Sequence, residues 1–183
     1  LMSGHLDREN EVRVTPEEPW LGLARFSKES RDYFFGRDDE LDELARRIRA
    51  NSLTILFGQS GLGKTSLIHA GLVFRMEEDG ILPVPIRLRH EAGHPPLQAQ
   101  VFAAVRAVLQ AAGLDELACF DDRIESLWEL FHDPQWGFCR KETARLVLIL
   151  DQFEEIFTLG DRPARREDAL AFRDNLASLV ENG

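Results

Sequence analysis

The stretch Phe57-Gly58-Gln59-Ser60-Gly61-Leu62-Gly63-Lys64-Thr65-Ser66 decides how this chain is read. It matches the phosphate-binding pattern G-x-x-x-x-G-K-[ST], with Gly58, Gly63, Lys64 and Thr65 at the fixed positions. Glycine adopts backbone conformations closed to other residues, so such a loop approaches phosphate oxygens closely. The amides of residues 60 to 65 are expected to point inward as an anion nest. A helix opening near Lys64 adds free N–H groups and the positive end of its dipole. Lys64 then reaches the β- and γ-phosphates, and the Thr65 hydroxyl ligates magnesium. The plainer reading is a glycine-rich turn with no ligand, but a turn alone has no need of Lys64 and Thr65.

The flanks agree with the motif. Leu53-Thr54-Ile55-Leu56-Phe57 is a short β-rich run directly before it, and Ser66 to Val73 reads as a helix directly after it. Upstream, Ser30 to Phe35 reads as a short turn or helix carrying Tyr33, Phe34 and Phe35 inward. Asp38 or Asp39 can cap a helix in which Leu41, Leu44, Ala45 and Ile48 share one face. Downstream, Ile81 to Leu88 reads as a strand, placed at a sheet edge because Pro83 and Pro85 cannot donate to a ladder. Pro95-Pro96 suits the start of a helix with Leu97, Val101, Val105, Val108, Leu109 and Ala112 in register, closed by Gly113. A helix over Arg123 to His132 turns Ile124, Leu127, Trp128 and Phe131 to one side, and Asp133-Pro134 stops it. A last helix over Glu167 to Glu181 turns Phe172, Leu176, Leu179 and Val180 inward.

Leu146-Val147-Leu148-Ile149-Leu150 is the most apolar run in the chain, as for a strand buried on both faces of a parallel sheet. It ends in Asp151-Gln152-Phe153-Glu154-Glu155. Acids at the carboxyl end of such a strand lie where open α/β sheets bind ligands. Asp151 fits the carboxylate that holds magnesium beside Thr65. Glu154 or Glu155 is suited to activate a water.

Composition bounds the alternatives. The 183 residues suit one domain or part of a larger one, and the net charge of −10 argues against a dedicated nucleic-acid binder. Cys119 and Cys139 show no metal-ligand spacing and read as free thiols of a cytoplasmic protein. No apolar run approaches a membrane span, and no signal peptide is visible. Residues 1 to 18 read as a flexible arm with a tag remnant, Leu1 preceding Met2. The stop at Gly183, just after a helical pattern, reads as a fragment boundary within a longer protein.

These motifs together resemble those of STAND-type NTPases. Trp20-Leu21-Gly22-Leu23 through Phe26, then Phe34-Phe35-Gly36-Arg37-Asp38-Asp39-Glu40, looks like their leading segment with its G-R-x-x-E box. LVLILDQFEEIF, Leu146 to Phe157, looks like their strand-plus-acid motif and is similar to the D-G-x-D-E ending of NACHT members. The resemblance implies an α/β P-loop NTPase domain over residues 19 to 183, a three-layer parallel sheet flanked by helices and truncated before the sensor strand. That strand is expected between the first strand and the Asp151 strand; without it, a gap remains or those two pair directly. The arginine that meets the γ-phosphate and the winged-helix lid are also absent from these residues. The resemblance places Phe35, Gly36 and Arg37 against the base of ATP or ADP. It gives the phosphates to Gly58 through Ser66, the metal to Asp151, and the water to Glu154, with Glu155 second. It implies an ATP-driven switch that hydrolyses ATP with Mg2+, works with other domains of its parent chain and assembles into homo-oligomers on activation.

Two further readings compete. One is an interaction scaffold that binds nucleotide without turnover. The other rests on His90-Glu91-Ala92-Gly93-His94, which matches the zinc-hydrolase pattern H-E-x-x-H. That chemistry needs both histidines on one helical face, whereas here the motif contains Gly93 and runs into Pro95-Pro96, which disfavour a helix. Arg162, Arg165 and Arg166 read as solvated helix-start residues.

Overall fold

The structure, a computed structural model, describes residue 26 and residues 28–91, 93–115, 124–132, 145–158 and 165–181. The arm, Trp20 to Leu23, both cysteines, Asp133-Pro134 and Arg162 lie outside the described residues. The chain divides between Arg75 and Met76 into two compact units.

In the first unit, a 3-10 turn over Lys28–Tyr33 precedes helix α1, Asp38–Ala50. Leu44 and Ala45 of α1 are buried, and Leu41 and Ile48 are half-buried, as their spacing predicts. The cap is Arg37, with no side chain bonded to the first turn. Asp38 and Asp39 instead lie inside that turn with Glu40, where their charge meets the positive end of the helix. Phe34 packs its ring 5.6 Å from that of Phe26. Phe35 does not turn inward as expected: it is 79% exposed.

After the phosphate loop, helix α2 (Lys64–Ser66) widens to π geometry over Leu67–Leu72 and resumes as α3, Val73–Glu78. Leu67, Ile68, Ala70, Leu72 and Val73 are buried. Arg31 lies over the Phe74 ring, 3.1 Å from its centre, and Arg75 pairs with Asp42 of α1. Gly71 permits the close approach of α1: a Cβ there would sit 2.5 Å from Leu41 Cδ2.

In the second unit, β1 (Ile81–Arg87) pairs in parallel with β2 (Arg145–Asp151), from Ile81 opposite Arg145 to Arg87 opposite Asp151. Pro83 and Pro85 share one parity along β1. In a parallel ladder that parity turns both imide nitrogens away from β2, so they remove donors only from the outer edge. Helices α4 (Leu97–Ala111), α5 (Leu127–His132) and α7 (Arg166–Glu181) supply the core, with the short α6 (Glu155–Thr158) following β2. Val84, Ile86 and Leu88 pack with Leu97, Val101, Val105, Leu109, Leu127, Leu130 and Phe172. Each such side chain contributes about 1.5–3 kcal/mol on burial. Gly113, at φ +70°, follows α4 as expected.

Several expectations change. In α5 Leu127 is buried as expected, but Leu130 is fully buried beside it, while Trp128 is 39% exposed and stacks on His132 instead. In α7, Ala169 and Phe172 are buried and Val180 is exposed. Leu146, Val147, Leu148 and Leu150 of β2 are half-buried rather than enclosed on both faces. The reason is that the described sheet has two strands, so β2 has one neighbour. The fold is α/β with parallel pairing, but a three-layer sheet is not what the described residues form. Leu53 to Phe57 is outside that sheet, with Ile55 72% and Phe57 89% exposed. A β-rich run becomes a strand only through ladder partners.

The Gly71 contact yields a test. Alanine gains about 1 kcal/mol of helix propensity over glycine, while overpacking costs about 1–3 kcal/mol. Gly71→Ala should therefore lower stability by up to about 2 kcal/mol in urea unfolding. In a Leu41→Ala background the same change should raise it.

Candidate functional site

The phosphate loop is built by its glycines. Gly61 and Gly63 adopt φ of +85° and +74°, values that other residues rarely take. Gly58 is not in that region, so its role is space rather than dihedral freedom. Between them the chain turns so that the Leu62 N–H donates to Gln59 O at 3.4 Å. That amide is therefore spent inside the loop, a correction to the expectation that all amides from Ser60 to Thr65 face inward. Gly58, Gln59, Ser60, Gly61 and Leu62 are exposed. Lys64 folds back over the loop, its Nζ donating to Gly58 O at 2.7 Å and Gln59 O at 3.2 Å. The Lys64 ammonium ion thus lies against the loop's own backbone carbonyls.

Two residues of the leading segment touch this loop. The Phe26 N–H donates to Ser66 Oγ at 3.1 Å, and Arg37 Nη1 donates to Leu62 O at 3.4 Å. Arg37 also lies 2.8 Å from Glu40 across one helical turn, so the arginine and glutamate of the G-R-x-x-E box pair with each other. Gly36, at φ +76°, makes the bend that delivers Arg37 there. Phe35, expected at the base, is exposed beside that bend.

In the second unit, Asp151 ends β2 and is buried, 7% exposed. Gln152 follows at φ +56°, the sole non-glycine residue with positive φ among the described residues. A residue held there costs of order 1 kcal/mol or more and turns the chain sharply away from the strand. Glu154 sits exposed on that turn. Glu155 opens α6 and accepts a hydrogen bond from Arg87 Nη2 at 3.0 Å, tying the ends of the two strands together. No local pattern points to Arg87, because its partner is 68 residues away.

The described residues of the H-E-x-x-H stretch, His90, Glu91, Gly93 and His94, form no helix of the kind that zinc chemistry needs. Gly93 takes φ +94°, and the described residues hold no group of three His, Cys, Asp or Glu able to bind a metal. Its own backbone N–H holds the Glu91 carboxyl below the usual range. The zinc reading is overturned on that geometry. What fastens the loop is Arg165. Its guanidinium donates to Glu91 O at 2.7 Å and His94 O at 2.5 Å, and pairs with Asp168 at 3.2 Å. Asp168 in turn accepts the Leu97 N–H at 3.1 Å, capping α4 from another helix. Arg165 is therefore a clamp, not the solvated residue its arginine-rich surroundings suggest; Arg166 is exposed as expected.

A family model described as Novel STAND NTPase 1 matches residues 19–182. No curated protein and no solved structure matches the chain. No helix among the described residues is long and apolar enough to cross a membrane.

The Arg165 clamp is testable by stability. Lysine keeps the charge but cannot span two carbonyls and a carboxylate with a planar fork. Arg165→Lys should lower stability by about 1–3 kcal/mol, read as a fall in the thermal midpoint.

Proposed function

This chain belongs to the Novel STAND NTPase 1 family, and from that premise we propose that it is the ATP- and ADP-binding part of a Mg2+-dependent hydrolytic switch in a larger signalling or defence protein. The observation that carries the reading is the glycine loop, with Gly61 and Gly63 in left-handed conformations and Lys64 standing over it. Gly58 through Ser66 would hold the phosphates, and Gly36 and Arg37 approach that loop from the leading segment. Adenine is favoured because the sequence carries no guanine-reading N-K-x-D pattern. Working within the cytoplasm and assembly into a homo-oligomer belong to the same proposal.

Thr65 and Asp151 would each offer a hard oxygen donor, a hydroxyl and a carboxylate, of the kind that suits magnesium. Once bound, the metal would offset charge developing on the phosphate oxygens. Glu154 is the better candidate to orient water. It is exposed on the turn after Asp151, whereas Glu155 is engaged by Arg87. A scaffold that binds nucleotide and never turns it over is the second reading, and phosphate release by the intact parent separates the two.

Lys64→Ala should abolish ATP and ADP binding in calorimetry; retained micromolar affinity would sink the assignment. Glu154→Gln in the parent protein should leave binding intact and lower the hydrolysis rate by at least about a hundredfold, as for loss of a general base. If Glu155→Gln has that effect instead, the two roles are reversed.

A further inference from the structure

The geometry points to Arg37 as a positioning residue for the phosphate loop, acting on the polyphosphate end of the ligand and not on its base. This rests on the nucleotide reading above. Arg37 Nη1 donates to the Leu62 carbonyl, and a Cβ built on Gly63 would lie 3.9 Å from the same nitrogen. The Leu62 carbonyl belongs to the peptide that joins Leu62 to Gly63. That peptide is planar and trans, so its C=O and N–H point in opposite directions. Holding the oxygen on one side therefore aims the Gly63 N–H at the other.

The peptide needs holding. It lies between Gly61 and Gly63, both in left-handed conformations. Glycine has the most backbone freedom to lose, so an unsupported peptide here is free to rotate. A permanently charged donor on its oxygen also polarises the amide and strengthens the opposite N–H as a donor. Glu40 fixes the arm from the other side. Its carboxylate lies 2.8 Å from Arg37 Nε, though the N–H is not aimed at it, so the pair acts through charge. The Phe26 bond to Ser66 ties down the far end of the same loop. The leading segment thus grips the loop at Leu62 and at Ser66, on either side of Lys64 and Thr65.

The test is calorimetry on the 183-residue chain with ADP, ATP, inosine triphosphate and pyrophosphate. Arg37→Ala should weaken ADP, ATP and pyrophosphate alike by about tenfold, as for loss of a charged hydrogen bond. The preference for ATP over inosine triphosphate should not change. Glu40→Gln should show the same pattern with a smaller factor, and it decides the matter if Arg37→Ala lowers the thermal midpoint enough to unfold. A collapse of the ATP preference, with pyrophosphate unaffected, would put Arg37 at the base and overturn the inference. Unchanged ADP affinity in both variants would also overturn it while leaving the nucleotide reading intact. If the unaltered chain binds none of the four ligands, the nucleotide reading fails and takes this inference with it.

Discussion

The parallel pairing of Ile81–Arg87 with Arg145–Asp151 is the constraint on which the second unit depends. It joins segments far apart in the chain, so its loop-closure cost must be met by burial of the face that carries Val84 and Ile86. Helices α4, α5 and α7 supply that burial. The register then fixes the chemistry at the strand ends. Arg87 falls opposite Asp151, and the next turn brings Glu155 to Arg87. A slip of one residue would turn Asp151 to the other face and break that set.

The first unit depends on a different device. A loop rich in glycine has much backbone freedom to lose, and its order comes from the groups that bond to its backbone and to its last residue. Lys64 crosses over its carbonyls, Arg37 holds one peptide, and Ser66 receives the Phe26 amide. Gly71 lets α1, which follows Arg37, lie close to the helix that follows the loop. Packing and site geometry are thus the same contact seen from two ends.

The loop from Arg89 to Pro96 shows how a chemical motif becomes structural. Its histidines and glutamate have the order of a metal site, but the backbone that carries them is bent at Gly93 and held by Arg165. Gln100 reinforces it, accepting the Arg89 N–H and donating to Pro95 O. Asp168 links the clamp to α4. These polar groups serve the backbone carbonyls and amides that a loop leaves unpaired.

Local pattern determined much of this protein. Helical spacing located α1, α4 and α7 to within a residue or two, and the glycine pattern located the tight turn before Lys64 and the helix after it, because these features depend on neighbours along the chain. The family followed from the same motifs. Tertiary structure decided the rest. Leu53 to Phe57 has strand composition, yet it joins no ladder in the described sheet, since pairing needs a partner that composition cannot supply. Trp128 and Leu130 exchanged places because a short helix is turned by what it packs against. Arg37, Arg87 and Arg165 look alike in the sequence; the carbonyl or carboxylate within reach of each gave them separate roles, and only the folded chain sets that reach.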